Sequence, residues 1–165
     1  FVRGRPHWCV SIACVEGERI IAGCIYDPVH DEIYLASNDR PSTRNGKPIR
    51  VTDVGEIDLA TVGIGLEPAM GANAGLAMLT PMVEAGTRLY RNSSGALSLA
   101  YVADGRLDAY VETHMHSWDF MAGALIVRQA GGVLRDFDVM AALTEGAPVI
   151  ASNGRLDLML PPEYA

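Results

Sequence analysis

Between His7 and Ala36 the chain alternates apolar and polar positions in three short runs, His7 to Val15, Arg19 to Tyr26 and Glu32 to Ala36. They are separated by EGE and DPVHD. A period of two is that of a strand, and short connections carrying Gly17 or Asp27 and Pro28 predict an antiparallel meander. Val10, Ile12 and Cys14 alternate with Cys9, Ser11 and Ala13, so one face is the more apolar, and something is expected to pack on it. The next stretch, SNDRPSTRNGKPIRVTDVGEID, is polar and rich in turn formers. It reads as an excursion with a tight turn at Asn45 and Gly46 and one short strand from Ile49 to Val51. A boundary near residue 55 would divide the chain into an antiparallel-sheet lobe, 1–55, and an α/β lobe, 56–165.

Beyond that boundary strand and helix patterns alternate. LATVGIG reads as a strand, followed by a helix from about Asn73 to Ala85 that Pro81 is expected to kink or split. RLYRN is a short strand, and SSGALSLAYVADG a helix begun by Ser93 or Ser94 and ended at Gly105. LDAYVE is a strand. SWDFMAGALIVRQAGG is a helix expected to be capped by Ser117 and stopped at Gly131 and Gly132, apolar nearly all round and therefore buried. GVLRDF and APVIASN complete the strands, and GRLDLML is expected as a closing helix. Such alternation implies a mostly parallel or mixed sheet with helices on its faces.

Composition narrows the function classes. At 165 residues with 49% hydrophobic and 20% charged positions, the chain is long enough for a buried core and lies outside the disordered class. A net charge of -7 with scattered basic residues gives no footprint for a nucleic-acid backbone. A small anionic substrate is compatible with it, because a bound divalent cation inverts the local field. Cys9, Cys14 and Cys24 have no CxxC spacing and read as buried thiols of a cytoplasmic protein. No signal peptide or membrane span is expected from the sequence.

Candidate chemistry concentrates in ETHMHSWDF, Glu112 to Phe120. Asp119 is either a first-turn aspartate stabilised by the helix dipole or a ligand of a hard cation at the sheet edge. Glu112 is either a solvated strand end or an acceptor for polyol hydroxyls. His114 and His116 tempt a zinc reading, which needs a third ligand that no neighbouring cysteine supplies. Ser93, Ser94 and Gly95 open a helix whose amides could meet an anion or a sugar oxygen, or form an ordinary cap. DPVHD reads as a hairpin turn rather than a metal motif.

Taken together, LSLAYVADGRLDAYVE, WDFMAGALIVRQAGGVLRD and VIASN resemble the C-terminal part of the inositol monophosphatase family of magnesium-dependent phosphatases. Trp118, Asp119, Ala122, Gly123, Gln129, Ala130, Gly131 and Gly132 follow its signature, and FVRGRPHWCVSIACVEGERIIAGCIYDPVHDEIYLA with NGKPIRV is similar to its earlier portion. The resemblance implies a sugar-phosphatase-like αβαβα sandwich in which 1–55 is a partial antiparallel lobe. It also implies Mg²⁺ as cofactor, with water activated on the metal to hydrolyse an inositol phosphate or related polyol phosphate. Asp119 matches a metal-binding aspartate, and Glu112 matches a glutamate that contacts substrate hydroxyls. Ser93, Ser94 and Gly95 fall where the family has Gly, Ser or Thr, and Ala near the substrate ring. A serine in place of that first glycine adds a side chain where close backbone approach is expected.

The family's principal metal motif, Asp-Pro-x-Asp-Gly-Thr, would end just before Phe1, so the expectation is the C-terminal two-thirds of a family member, inactive alone. A homodimer is the expected assembly, with no nucleic-acid or membrane partner. The alternatives are a non-catalytic structural or dimerisation fragment, and a zinc hydrolase built on His114 and His116.

Overall fold

The computed structural model describes residues 2–162 and 164; Phe1, the first residue of the expected leading loop, lies outside them. Among the described residues there are two five-stranded sheets. The first is the expected meander, extended by a hairpin. It contains β1 (Val10–Glu16), β2 (Arg19–Asp27), β3 (Glu32–Ser37), β4 (Arg40–Arg44) and β5 (Lys47–Pro48), antiparallel in that order. Asp27 closes the β2–β3 turn, its carboxylate accepting from the Val29 and His30 amides and pairing with the His30 ring at 2.8 Å.

The strand expected at Ile49 to Val51 is displaced. Asn45 and Gly46 both take positive φ, 49° and 74°, which is a two-residue hairpin turn, so the pairing falls on the polar residues before and after them. Ile49 still donates its amide to the Ser42 carbonyl of β4 at 3.0 Å, whereas Val51 has left the sheet and donates its amide to the Ala130 carbonyl.

The second sheet contains β6 (Thr61–Gly65), β7 (Arg88–Tyr90), β8 (Ala109–Met115), β9 (Val133–Leu134) and β10 (Ala147–Ser152), in the order β7-β6-β8-β10-β9. β6 is parallel to β7 and β8, and β10 is antiparallel to β8 and β9, giving the mixed sheet the alternation implies. The helices are α1 (Ala72–Glu84), α2 (Gly95–Ala103), α3 (Ser117–Gln129) and α4 (Val139–Glu145). Pro81 does not split α1: it sits in the last turn, where the forfeited backbone bond is near the helix end.

Three further expectations change. Ser117 is the first helical residue of α3 rather than its cap. His116 holds the extended cap position, while the Ser117 hydroxyl donates to the Leu143 carbonyl. The closing segment is not helical. Asn153 and Asp157 side chains accept from the amides of Arg155 and Met159, local bonds that compete with a helix, and Met159 has φ 52°. Finally, α4 was not anticipated, although Asp138 caps it through the Ala141 amide and Gly146 ends it.

α2 and α3 lie between the sheets and share one hydrophobic core with them, including Ile25, Tyr34, Leu97, Leu99, Phe120, Ile126 and Val149. The second core, on the far side of the second sheet, joins Val62 and Val111 to Met78 and Met82 of α1 and to Leu158. The layers therefore run sheet, helices, sheet, helix, the layered α/β arrangement expected.

The face of the first sheet that receives α3 is not the more apolar one. It is the face of Ala13, Ile25 and Tyr34, where Gly23 lies so close to α3 that a Cβ would stand 2.7 Å from the Ala122 carbonyl oxygen. On the other face Ile12 is 59% and Leu35 42% exposed. Cys14 and Cys24 belong to that open face, so they are not buried as expected; Cys14 is exposed and Cys24 partly so, and all three cysteines are free.

Candidate active site

A cavity of about 560 Å³ opens at the C-terminal edge of the parallel strands β6 and β8, the edge at which open α/β sheets hold ligands. Strand alternation aims its first wall: Tyr110, Glu112 and His114 turn to the cavity while Val111 and Thr113 are buried behind them, and past a register shift against β10 Met115 and His116 line it as well. β8 runs on to Met115, so Glu112 is an interior strand position rather than a strand end, paired with Gly65 on one side and Val149 on the other.

The second wall is the start of α2. Asn92, 6% exposed, accepts from the Ser94 amide at 2.9 Å and from the Ser98 hydroxyl at 3.1 Å, which folds the chain tightly between β7 and the helix. Ser94 is the cap, its hydroxyl accepting from the Leu97 amide at 3.5 Å. Ser93 is held at φ 64° in the left-handed region, where a glycine is favoured. The Ser94 hydroxyl also lies 3.8 Å from the Cys9 thiol, tying this wall to the segment that leads into β1. The third wall is the first turn of α3, which brings exposed Trp118 and Asp119 to the rim.

The predicted residues Glu112, Ser93, Ser94, Gly95 and Asp119 thus line one cavity. Sequence reasoning did not single out Gly65, Glu67, Arg91, Trp8 or Cys9, which line it too. The glycine ending LATVGIG was the available signal for Gly65. Arg91 and Glu67 arrive through loops that no periodicity marks.

Burial lifts the Glu112 carboxyl above the ordinary glutamate range; the Tyr110 hydroxyl bond opposes this, and the nearby Asp119 and Glu67 charges add to it. Burial also raises Asp119, against an opposing influence from His116. Burial pushes the Cys9 thiol up, with the Ser94 hydroxyl contact opposing it.

Among the described residues no group of three or more His, Cys, Asp or Glu side chains could hold a metal ion. A hard cation needs a shell of six or more oxygens. Because Mg²⁺ fills much of that shell with water and substrate oxygens and takes one or two carboxylates, the described residues offer no multi-carboxylate cage for it, and Asp119 is a single candidate ligand. Zinc fares no better: the His114 Nε2 atom is bonded to the Glu145 carbonyl at 2.8 Å, and the His116 ring stacks on Trp118 with centroids 4.5 Å apart.

The layered fold and this sheet-edge cavity define a sugar-phosphatase-like architecture. The profile of the inositol monophosphatase family matches residues 1–161, and the chain belongs to that family. It is 38% identical over 139 residues to the Nus factor SuhB of Xylella fastidiosa, covering 83% of this chain and 50% of that protein. To the inositol-1-monophosphatase of Mesorhizobium japonicum it is 35% identical over 158 residues, 93% of this chain and 58% of the relative. The crystal structure of the extragenic suppressor protein suhB from Bartonella henselae superposes with a TM-score of 0.85 at 31% identity, over 93% of this chain and 60% of that one. The chain spans little more than half the length of these relatives. Among the described residues no helix is long and apolar enough to cross a membrane.

Proposed function

We propose that this chain is the substrate-holding part of a magnesium-dependent phosphomonoesterase acting on an inositol phosphate or related polyol phosphate. The observation that carries the reading is the convergence of Glu112, the Ser93–Gly95 helix start and Asp119 on one cavity at the sheet edge. Each has a distinct task in such a protein. Glu112 accepts hydrogen bonds from ring hydroxyls, which suits a carboxylate with its lone pairs facing a polar cavity. The Ser93–Gly95 backbone and the dipole of α2 favour the anionic end of a substrate. Asp119 would supply one carboxylate ligand to Mg²⁺, whose remaining ligands are not found among the described residues.

The family membership and the likeness to an inositol-1-monophosphatase support the same reading. The working unit is a cytoplasmic homodimer with a small-molecule substrate and no nucleic-acid or membrane partner. The lack of a multi-carboxylate cluster among the described residues favours one competing reading, a non-catalytic fragment.

Phosphate release from inositol phosphate separates the readings. The intact parent protein is expected to turn over substrate only with Mg²⁺ present, and the 165-residue chain to be inactive. Turnover by the 165-residue chain itself would remove the claim that essential ligands lie elsewhere. An intact protein inert with every polyol phosphate would leave the non-catalytic reading.

A further inference from the structure

The Glu112 carboxyl is held from two sides by groups to which no role has yet been given. Tyr110, two residues earlier on β8 and 2% exposed, donates its hydroxyl to Glu112 Oε2 at 2.5 Å. Beneath the carboxyl lies Gly65, its partner in the parallel register of β6 and β8. A Cβ built on Gly65 would fall onto Glu112 Cδ and both carboxyl oxygens, closer than any real contact permits. Gly95 is the third side. A Cβ there would stand 3.1 Å from the Tyr110 hydroxyl and 3.4 Å from Glu112 Oε2, and would also collide with the Met115 methyl.

We infer that Gly65 and Tyr110 are positioning residues for a hydroxyl-recognition subsite: together they fix the Glu112 carboxyl so that Oε2 is engaged and Oε1 is left to accept from a substrate hydroxyl. The bare Cα of Gly65 leaves the space in which the carboxyl lies, and Tyr110 decides which oxygen is occupied. A carboxylate on an unconstrained side chain would lose rotamer freedom on meeting a ligand; here that ordering is completed on folding. Any side chain at position 65 would drive Glu112 toward the cavity or away from Tyr110. The polyol part of this inference rests on the proposed phosphatase reading, whereas the cradle itself does not.

The test has two readouts. With ¹³Cζ-labelled tyrosine in the 165-residue chain, the Tyr110 hydroxyl proton is expected as a slowly exchanging downfield NMR signal, lost in Gly65→Ala and shifted in Glu112→Gln. In the intact parent protein, Tyr110→Phe and Gly65→Ala are expected to raise KM for inositol phosphate over that for hydroxyl-free p-nitrophenyl phosphate. The rise is about tenfold, the loss of one positioned hydrogen bond, and kcat changes far less. Should Gly65→Ala not fold, Tyr110→Phe carries the kinetic test and Glu112→Gln the spectroscopic one. A hydroxyl signal unmoved by Glu112→Gln, or an unchanged KM ratio in Tyr110→Phe, overturns the inference. A parent protein that hydrolyses neither phosphate while its Tyr110 signal responds as expected refutes the phosphatase reading and leaves the cradle standing.

Discussion

Asp104, just past the last turn of α2, accepts a hydrogen bond from Arg44 of β4 at 2.6 Å with its own side chain wholly buried. The same carboxylate accepts from the Tyr34 hydroxyl and pairs with Arg106, which in turn bonds Glu32. The central helix is thereby locked to the first sheet. Asp104→Ala removes an acceptor shared by three donors, of which Tyr34 and Arg106 keep their bonds to Glu32 and Arg44 loses its short contact, and is expected to cost about 2 kcal/mol in urea denaturation. Arg50→Ala, whose contact with Asp53 is on the open surface at 3.8 Å, should cost well under 1 kcal/mol. Equal losses would show that Asp104 is no lock.

On the open face of the first sheet, Ile12, Cys24, Leu35 and Thr43 form one row across four strands, and Val10, Tyr26 and Ile33 the next. No charge interrupts either row, an uncommon surface for a soluble monomer. Light scattering coupled to size exclusion should find the 165-residue chain associated, and Ile12→Glu with Leu35→Glu should shift it toward monomer. A monodisperse wild-type monomer would contradict this.

Ser93 carries backbone strain at φ 64°. Ser93→Gly is expected to stabilise the chain by about 1 kcal/mol, while Ser93→Ala, which keeps a Cβ, should gain nothing. A thermal melt comparing the two distinguishes relief of strain from loss of the hydroxyl.

Glu112 gives a pH signature. Its carboxyl titrates above the ordinary glutamate range in the folded protein. The folded state therefore holds its proton longer than the unfolded one. The associated stability is complete below the unfolded value and is lost as pH rises through the folded value. Glu112→Gln should thus be more stable than wild type at pH 7, with the advantage vanishing below about pH 4, near the unperturbed glutamate value. Urea midpoints measured across that range check the sign.

Much of this architecture was legible in local pattern. The β1–β3 meander followed from alternation and from the turn at Asp27 and Pro28, and α3 from its unbroken apolar run. What the pattern concealed were competitions settled by particular atoms. The β4–β5 hairpin was masked because an edge pair built from Arg40, Thr43, Arg44 and Lys47 has no apolar alternation to display. α3 chose the face of Gly23 and Ala13 because only small residues admit a helix backbone so closely. The closing segment lost its helix to side chain-to-amide bonds at Asn153 and Asp157. In the site, element ends and strand alternation offered Glu112, Ser93–Gly95 and Asp119 only as alternatives to an ordinary strand end and ordinary caps, and it was the resemblance to the family that singled them out. Gly65 was not, since its role is the space it leaves for a residue 47 positions away.

The central claim is that Asp119 serves a metal-dependent phosphatase site rather than only the start of α3. The most direct measurement is Mg²⁺-dependent inositol phosphate hydrolysis by the intact parent protein carrying Asp119→Asn, with its melting temperature taken on the same sample. The account predicts that turnover falls by ~10²-fold or more while stability changes by less than about 1 kcal/mol, the scale of a first-turn charge on a helix. Undiminished turnover in that variant would contradict it.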